Sequence, residues 1–189
     1  MSASIQRTPE TLTGILLTHE HQDHTTGLTA LAARLRIPVF CNRLTHEATE
    51  RQLETRFEAR HFVTGGHFEL GDVTVDTFSV PHDAQEPVGF RFTSGQDGDL
   101  FAPRRSLAFL TDLGHAPQNV RERIRECEVV VVEANHCPEL LKADAKRPWA
   151  TKQRIGGRHG HLSNDGAREL LAAVASPRWR RVYLTHLSR

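Results

Sequence analysis

Gly14-Ile15-Leu16-Leu17-Thr18-His19-Glu20-His21-Gln22-Asp23-His24 is an apolar run that turns abruptly polar. Ile15, Leu16 and Leu17 have the composition of a short buried strand. His19, His21, Asp23 and His24 then follow within six residues. On an extended backbone, side chains two apart point the same way, so His19 and His21 face one ion together. Asp23 and His24 come after the strand ends, where the backbone turns, and reach a second ion beside the first. Imidazole nitrogen and carboxylate oxygen suit Zn²⁺ and, less exclusively, Mn²⁺ or Fe²⁺.

Outward from this cluster the pattern alternates between helix and strand. Leu28, Leu31, Ala32 and Leu35 recur at helical spacing, and Pro38 marks the stop. A strand is expected over 37–41 and a charged, exposed helix over 45–56. Val73, Val75 and Thr77 alternate as in a half-buried strand that runs into Pro81-His82-Asp83. Further strands are expected over 88–92 and 107–110, with a Gly/Asp-rich loop at 94–99. The four valines of 129–132 are the strongest β signal in the chain. Residues 142–155 read as short helices. Ser163 is an N-cap candidate for a helix to about residue 175, and 181–184 form a last strand. Pro9 suggests a turn or helix start near the beginning.

Five apolar strands each end in a residue able to bind metal or carry a proton: His19, His82, Asp112, Glu133 and His186. Sites placed at the ends of rigid strands are how α/β scaffolds carry chemistry. The pattern alone implies a mixed α/β domain over 1–189.

His19-x-His21-x-Asp23-His24 after an apolar strand resembles the signature of the metallo-β-lactamase superfamily of binuclear metallohydrolases. The resemblance implies an α/β fold (α+β) built as a four-layer αββα sandwich. It implies two divalent metal ions, zinc first, with manganese or iron as alternatives. His19, His21 and His82 would hold one ion, Asp23, His24 and His186 the other, and Asp112 would lie between them. Two such ions activate a water for attack at neutral pH. No Ser or Cys nucleophile elbow competes for that role.

Gly160-His161-Leu162-Ser163-Asn164 and the strand-end Glu133 are similar to a pair near the metals in the tRNase Z branch. By that resemblance His161 protonates a leaving alkoxide, with Glu133 holding its ring. An alkoxide needs that proton and a thiolate largely does not, so the pair favours phosphodiester cleavage. His161, Glu133 and Asp23 are therefore the expected catalytic residues. Pro81-His82-Asp83-Ala84-x-Glu86-Pro87, Glu133-Ala134-Asn135-His136 and Arg147-Pro148-Trp149-x-x-Lys152-x-Arg154-Ile155 resemble the YycJ/WalJ group within this superfamily. That family is associated with 5′-to-3′ exonuclease activity on DNA. Lys152, Arg154 and Arg158 stand where phosphate contacts are useful. Trp149 either stacks a base or belongs to the core. The family pattern also includes an N-terminal hairpin and a helix past the last histidine. This sequence starts after the first and stops before the second, so missing strands and apolar surface exposed around 15–17 are expected.

The bulk properties agree with a globular domain. The chain has 189 residues, 38% hydrophobic, and a net charge of +1. No apolar run is long enough to cross a membrane. Three scattered cysteines argue against a disulfide framework and for a reducing cytoplasm. Residues 142–189 carry eleven Lys/Arg against three Asp/Glu, compatible with a polyanionic substrate or simply a solvated basic face. Nucleic acid is the expected partner, DNA before RNA, with no membrane and with room for a homodimer. The alternatives are a hydrolase of thioesters, lactones or cyclic phosphates using the same metals, or a non-catalytic metal-binding domain.

Overall fold

The run at 15–17 becomes strand β1 (Ile15–Leu16) in the computed structural model, which describes residue 8 and residues 11–188. The turn or helix start expected at Pro9 lies outside the described residues. The contacts divide the chain into two units, Met1–Val63 with Ala84–Glu86, and Thr64–Asp83 with Pro87–Arg189.

In the first unit, β1, β2 (Val39–Cys41) and β3 (Ala59–His61) form a parallel sheet in sequence order, with Ile15 opposite Val39 and Val39 opposite Ala59. Parallel neighbours need crossover connections. These are supplied by α1 (Gln22–Thr25) with α2 (Leu28–Leu35), and by α3 (Arg43–Leu53). Leu17, Leu28, Val39 and Cys41 make the core, with Ile15, Ala32 and Phe57 packed against it. Helix α3 starts earlier than its charge pattern indicates. Asn42 caps it by accepting from Thr45 N at 2.9 Å, and Thr45, Ala48 and Thr49 are buried, so the helix is not simply exposed. Strand β3 has only one apolar residue, Ala59, which explains why it carries no readable pattern.

In the second unit, six strands lie in sequence order: β4 (His67–Leu70), β5 (Val73–Ser79), β6 (Val88–Ser94), β7 (Arg105–Leu110), β8 (Val129–Glu133) and β9 (Arg181–Thr185). The first four are antiparallel, whereas β7, β8 and β9 run parallel. The two parallel links again carry helices. Helix α4 (Gln118–Arg125) joins β7 to β8, and α5 (Pro138–Ala143), α6 (Trp149–Ile155) and α7 (Asn164–Val174) join β8 to β9. Helix α4 escaped the sequence reading because only Val120 and Ile124 mark its buried face. Those two pack with Leu110, Leu113, Val130, Val132 and Leu170 in the main core.

The exposed apolar strand is not β1. Ile15 and Leu16 are half-buried and Leu17 is buried. Exposure instead falls on β9, where Val182, Tyr183 and Leu184 are 38%, 48% and 55% exposed. Among the described residues both strands are sheet edges, but β1 is covered by the α2 residues Leu28 and Ala32, whereas Val182, Tyr183 and Leu184 of β9 stay exposed.

Candidate metal centre

In the first unit the His cluster is already gathered. His21 is the N-cap of α1 and extended in φ and ψ, so His19 and His21 leave the backbone on one side while Asp23 and His24 ride on the short helix. His19 Nε2 lies 3.1 Å from His21 Nδ1. Two nitrogens bound tetrahedrally to one zinc at about 2.0–2.1 Å stand roughly 3.3 Å apart, so the pair has the spacing of two ligands on one ion. Thr18 Oγ1 lies 3.0 Å from His19 Nδ1 and 3.3 Å from His24 Nδ1, leaving Nε2 as the outer atom of each ring. Thr18 was not singled out in the sequence. Its signal was its position, one residue before the motif. Asp23 is exposed, with Oδ2 3.6 Å from His24 Nε2.

In the second unit the strand ends meet. One donor atom each from Asp112, Glu133, His161 and His186 lie within 4.8 Å of one another. Asp112 follows β7 and His186 follows β9, and both have positive φ, 56° and 54°. Among the described residues, the other non-glycine positions with positive φ, Arg36 and Glu54, merely end α2 and α3. Left-handed backbone is unfavourable for a residue with a Cβ and collects where function demands it. Asp112 is 1% exposed and accepts a hydrogen bond from Thr111 Oγ1 at 2.7 Å.

His82 follows β5 and is buried. Its Nδ1 lies 2.9 Å from the Gly160 carbonyl oxygen, to which it donates as Nδ1–H. That fixes the tautomer and leaves Nε2, 3.7 Å from Asp112 Oδ1, as the candidate ligand atom. Burial holds the ring below the usual histidine range, outweighing the nearby Asp112 charge and the Gly160 bond. A neutral imidazole is the form that binds metal.

Glu133 is completely buried and accepts four hydrogen bonds. Oε1 takes His161 Nδ1 at 2.8 Å and His186 Nδ1 at 2.6 Å, and Oε2 takes the backbone N–H groups of Leu113 and Leu162 at 3.0 and 2.9 Å. Burial pushes this carboxyl up, but the four donors together hold it below the ordinary glutamate value. The expected Glu133–His161 pair is thus present. What spacing did not reveal is that the same oxygen also orients His186, so one carboxylate positions two rings and leaves both Nε2 atoms pointing away from it.

Beside His161 lies a cleft of about 540 Å³, lined among others by His136, Lys142, Trp149, Lys152 and Ser163. Trp149 opens α6 and is 64% exposed, so it does not belong to the core. Lys152 Nζ donates to the Lys142 carbonyl at 2.9 Å, tying α6 to α5. Arg154 does not line the cleft. Its guanidinium pairs with Asp83, next to His82. Arg158 is exposed and likewise outside the cleft lining, and its carbonyl oxygen accepts His115 Nδ1 at 3.0 Å. The donor sets of both units, nitrogen and carboxylate oxygen with oriented rings, fit a divalent cation of the zinc type.

Comparison with known proteins agrees with this chemistry. Residues 2–187 match the family described as the β-lactamase superfamily domain. The chain is 34% identical over 179 residues to the exodeoxyribonuclease YycJ of Bacillus anthracis, covering 94% of this chain and 64% of that protein. It is 32% identical over 191 residues to the exodeoxyribonuclease WalJ of Streptococcus pneumoniae, covering 99% of this chain and 68% of that one. Among solved structures, Zn²⁺-bound PqqB from Methylobacterium extorquens superposes with a TM-score of 0.66 at 18% identity, over 93% of this chain and 62% of that one. The chain therefore spans about two thirds of the length of these relatives. With the family model matched along nearly its whole length, the chain belongs to the β-lactamase superfamily and has the mixed α/β fold of the metallo-β-lactamases.

Proposed function

We propose that this protein is a metal-dependent phosphodiesterase, an exonuclease acting on DNA. The observation that carries the reading is the Glu133–His161 pair at 2.8 Å, in a chain whose relatives are named exodeoxyribonucleases. In this reading the two units act as one domain. His19, His21 and His82 hold one cation, Asp23, His24 and His186 hold a second, and Asp112 serves both. When bound, such a pair of cations activates water and neutralises charge on the attacked phosphate.

The remaining work falls to side chains of the chain itself. A water oxygen bonds to phosphorus, the phosphorus–oxygen bond to the leaving group breaks with its electron pair staying on the departing alkoxide, and that oxygen takes the proton from His161 Nε2. Glu133 holds His161 by Nδ1, so Nε2 is the atom that delivers the proton. The negative carboxylate also stabilises the imidazolium that must exist before transfer. Trp149, Lys152, Arg154 and Arg158 are the proposed contacts to the nucleic acid. Within that set the cleft favours Trp149 and Lys152, whereas Arg154 acts through Asp83.

The test compares two leaving groups. His161→Ala is expected to lower turnover of single-stranded DNA by roughly 10²–10⁴-fold, the usual worth of a positioned proton donor. Metal content should stay unchanged. A nitrophenyl phosphodiester, whose leaving group departs unaided, should be hydrolysed at nearly the parental rate. Equal losses on both substrates, or loss of metal, would remove His161 from the proton-donor role. Activity confined to thioesters, lactones or cyclic phosphates would replace the nuclease reading altogether.

A further inference from the structure

His136 has no part in the reaction derived above, yet it is built in with care. It follows β8 by three residues, pairs with Ser163 in an isolated bridge, and its carbonyl oxygen accepts Asn164 N at 2.8 Å. His136 is 8% exposed and lines the cleft beside His161. Its Nδ1 is shut off from solvent and has no hydrogen-bond partner among the described residues. Buried polar atoms without partners are few in folded proteins, and each calls for a reason. An orphaned acceptor is tolerated better than an orphaned N–H. The proton therefore sits on Nε2, and the ring offers that N–H to whatever fills the cleft.

The cleft's other walls narrow the occupant. Trp149 presents an exposed indole at the start of α6, the kind of surface on which a base stacks. Lys142 is exposed at the rim and supplies a cation. At about 540 Å³ the cavity falls within the usual range of small-ligand sites. An aromatic platform, a neutral ring donor and two lysines, Lys142 at the rim and Lys152 beside it, together match a nucleotide, not a lone anion or a lipid. His161, which serves the leaving oxygen, lines the same cleft, so the nucleotide held there is the one that departs.

We propose that this cleft is a pocket for the departing nucleotide, in which Trp149 stacks the base, His136 Nε2–H donates a hydrogen bond to the base, and Lys142 meets the phosphate. The proposal rests on the nuclease reading above and names the subsite that reading needs.

The probe is deoxyadenosine 5′-monophosphate, titrated by tryptophan fluorescence into the full chain without metal. Of the two tryptophans, Trp179 donates its indole N–H to the Ile124 carbonyl and packs against the core, so a response to ligand belongs to Trp149. Quenching that saturates is expected, absent in Trp149→Phe and absent with deoxyribose 5-phosphate. His136→Ala should weaken binding about tenfold, and so should His136→Asn. His136→Gln, whose amide nitrogen falls near the position of Nε2, should retain most of the affinity. A mere packing role would not separate Gln from Asn in this way. Lys142→Ala, a surface change that leaves the fold intact, should weaken the monophosphate but not deoxyadenosine.

No quenching at millimolar monophosphate, or full affinity in His136→Ala, overturns the pocket. Cleavage of single-stranded DNA by a chain that shows no such quenching refutes the pocket alone. Binding of the expected kind in a chain that never cleaves DNA with metal supplied keeps the pocket and refutes the nuclease.

Discussion

Asp112, a candidate ligand, is costly to the backbone that carries it. Its φ of 56° places a Cβ in left-handed backbone, at the end of a strand whose preceding residues are regular. Aspartate and asparagine tolerate that region because their short polar groups bond locally, here to Thr111. A β-branched side chain does not. Asp112→Asn is expected to keep the fold with reduced metal binding, whereas Asp112→Val should cost about 1–3 kcal/mol more in chemical denaturation. Glu133 makes a second residue-scale case. It is fully buried with four donors aimed at it, and an amide satisfies only the two on one side as long as both rings keep their Nδ1 protons. Glu133→Gln should destabilise the protein by about 2–4 kcal/mol and slow DNA turnover, since a donor then faces a donor. Stability unchanged by this substitution would mean that the ring orientation does not depend on Glu133. The strand-end positions of both residues were readable. That Glu133 serves two histidines was not, because the second, His186, lies fifty-three residues away.

At the scale of elements, the turn from α6 into α7 carries His161, the proposed proton donor. His161 N donates to the Ile155 carbonyl at 2.8 Å, and Gly160 sits so close to the end of α6 that a Cβ would overlap the carbonyl oxygens of Arg154 and Ile155. Gly160→Ala must therefore push this turn outward, moving His161 and withdrawing the carbonyl that fixes His82. An ångström of misplacement costs on the order of 10²-fold in rate, and turnover in Gly160→Ala should fall by about that much. The next element starts at Ser163, whose Oγ accepts from Gly166 N at 3.0 Å. Ser163→Ala should lose about 1 kcal/mol, measured by urea unfolding, as caps of this kind do. The Ser163 cap, the α2 periodicity and the valine strand were all legible, since each is a local preference written in adjacent residues. Strands β3 and β4 and helix α4 were not. Their sequences are short or mostly polar, and only neighbouring elements make those conformations favourable.

For the molecule as a whole, the proposal that both units hold the same cations has a direct consequence. Zinc at a hundred times its dissociation constant should stabilise the fold by about 2.7 kcal/mol. His21→Ala in the first unit and His186→Ala in the second should each diminish both the bound metal and the stabilisation. Loss confined to one of these variants would assign the ions to one unit alone. The thiols provide an independent check on the packing. Burial pushes Cys41 up to about 12 and Cys127 up to about 11, whereas Cys137 is only half-buried. At neutral pH one thiol of three should label quickly, and all three after unfolding. The sequence by itself determined the family, the order of the main elements and the strand ends at which the candidate metal ligands stand. It could do so because hydrophobic period and ligand spacing are local properties of the chain. Tertiary structure alone decided which rings Glu133 holds, that Arg154 faces Asp83, that Trp149 is exposed and that His136 lines a cleft. Those are contacts between distant segments, set by how strands pair and helices pack, and no spacing along the sequence encodes them.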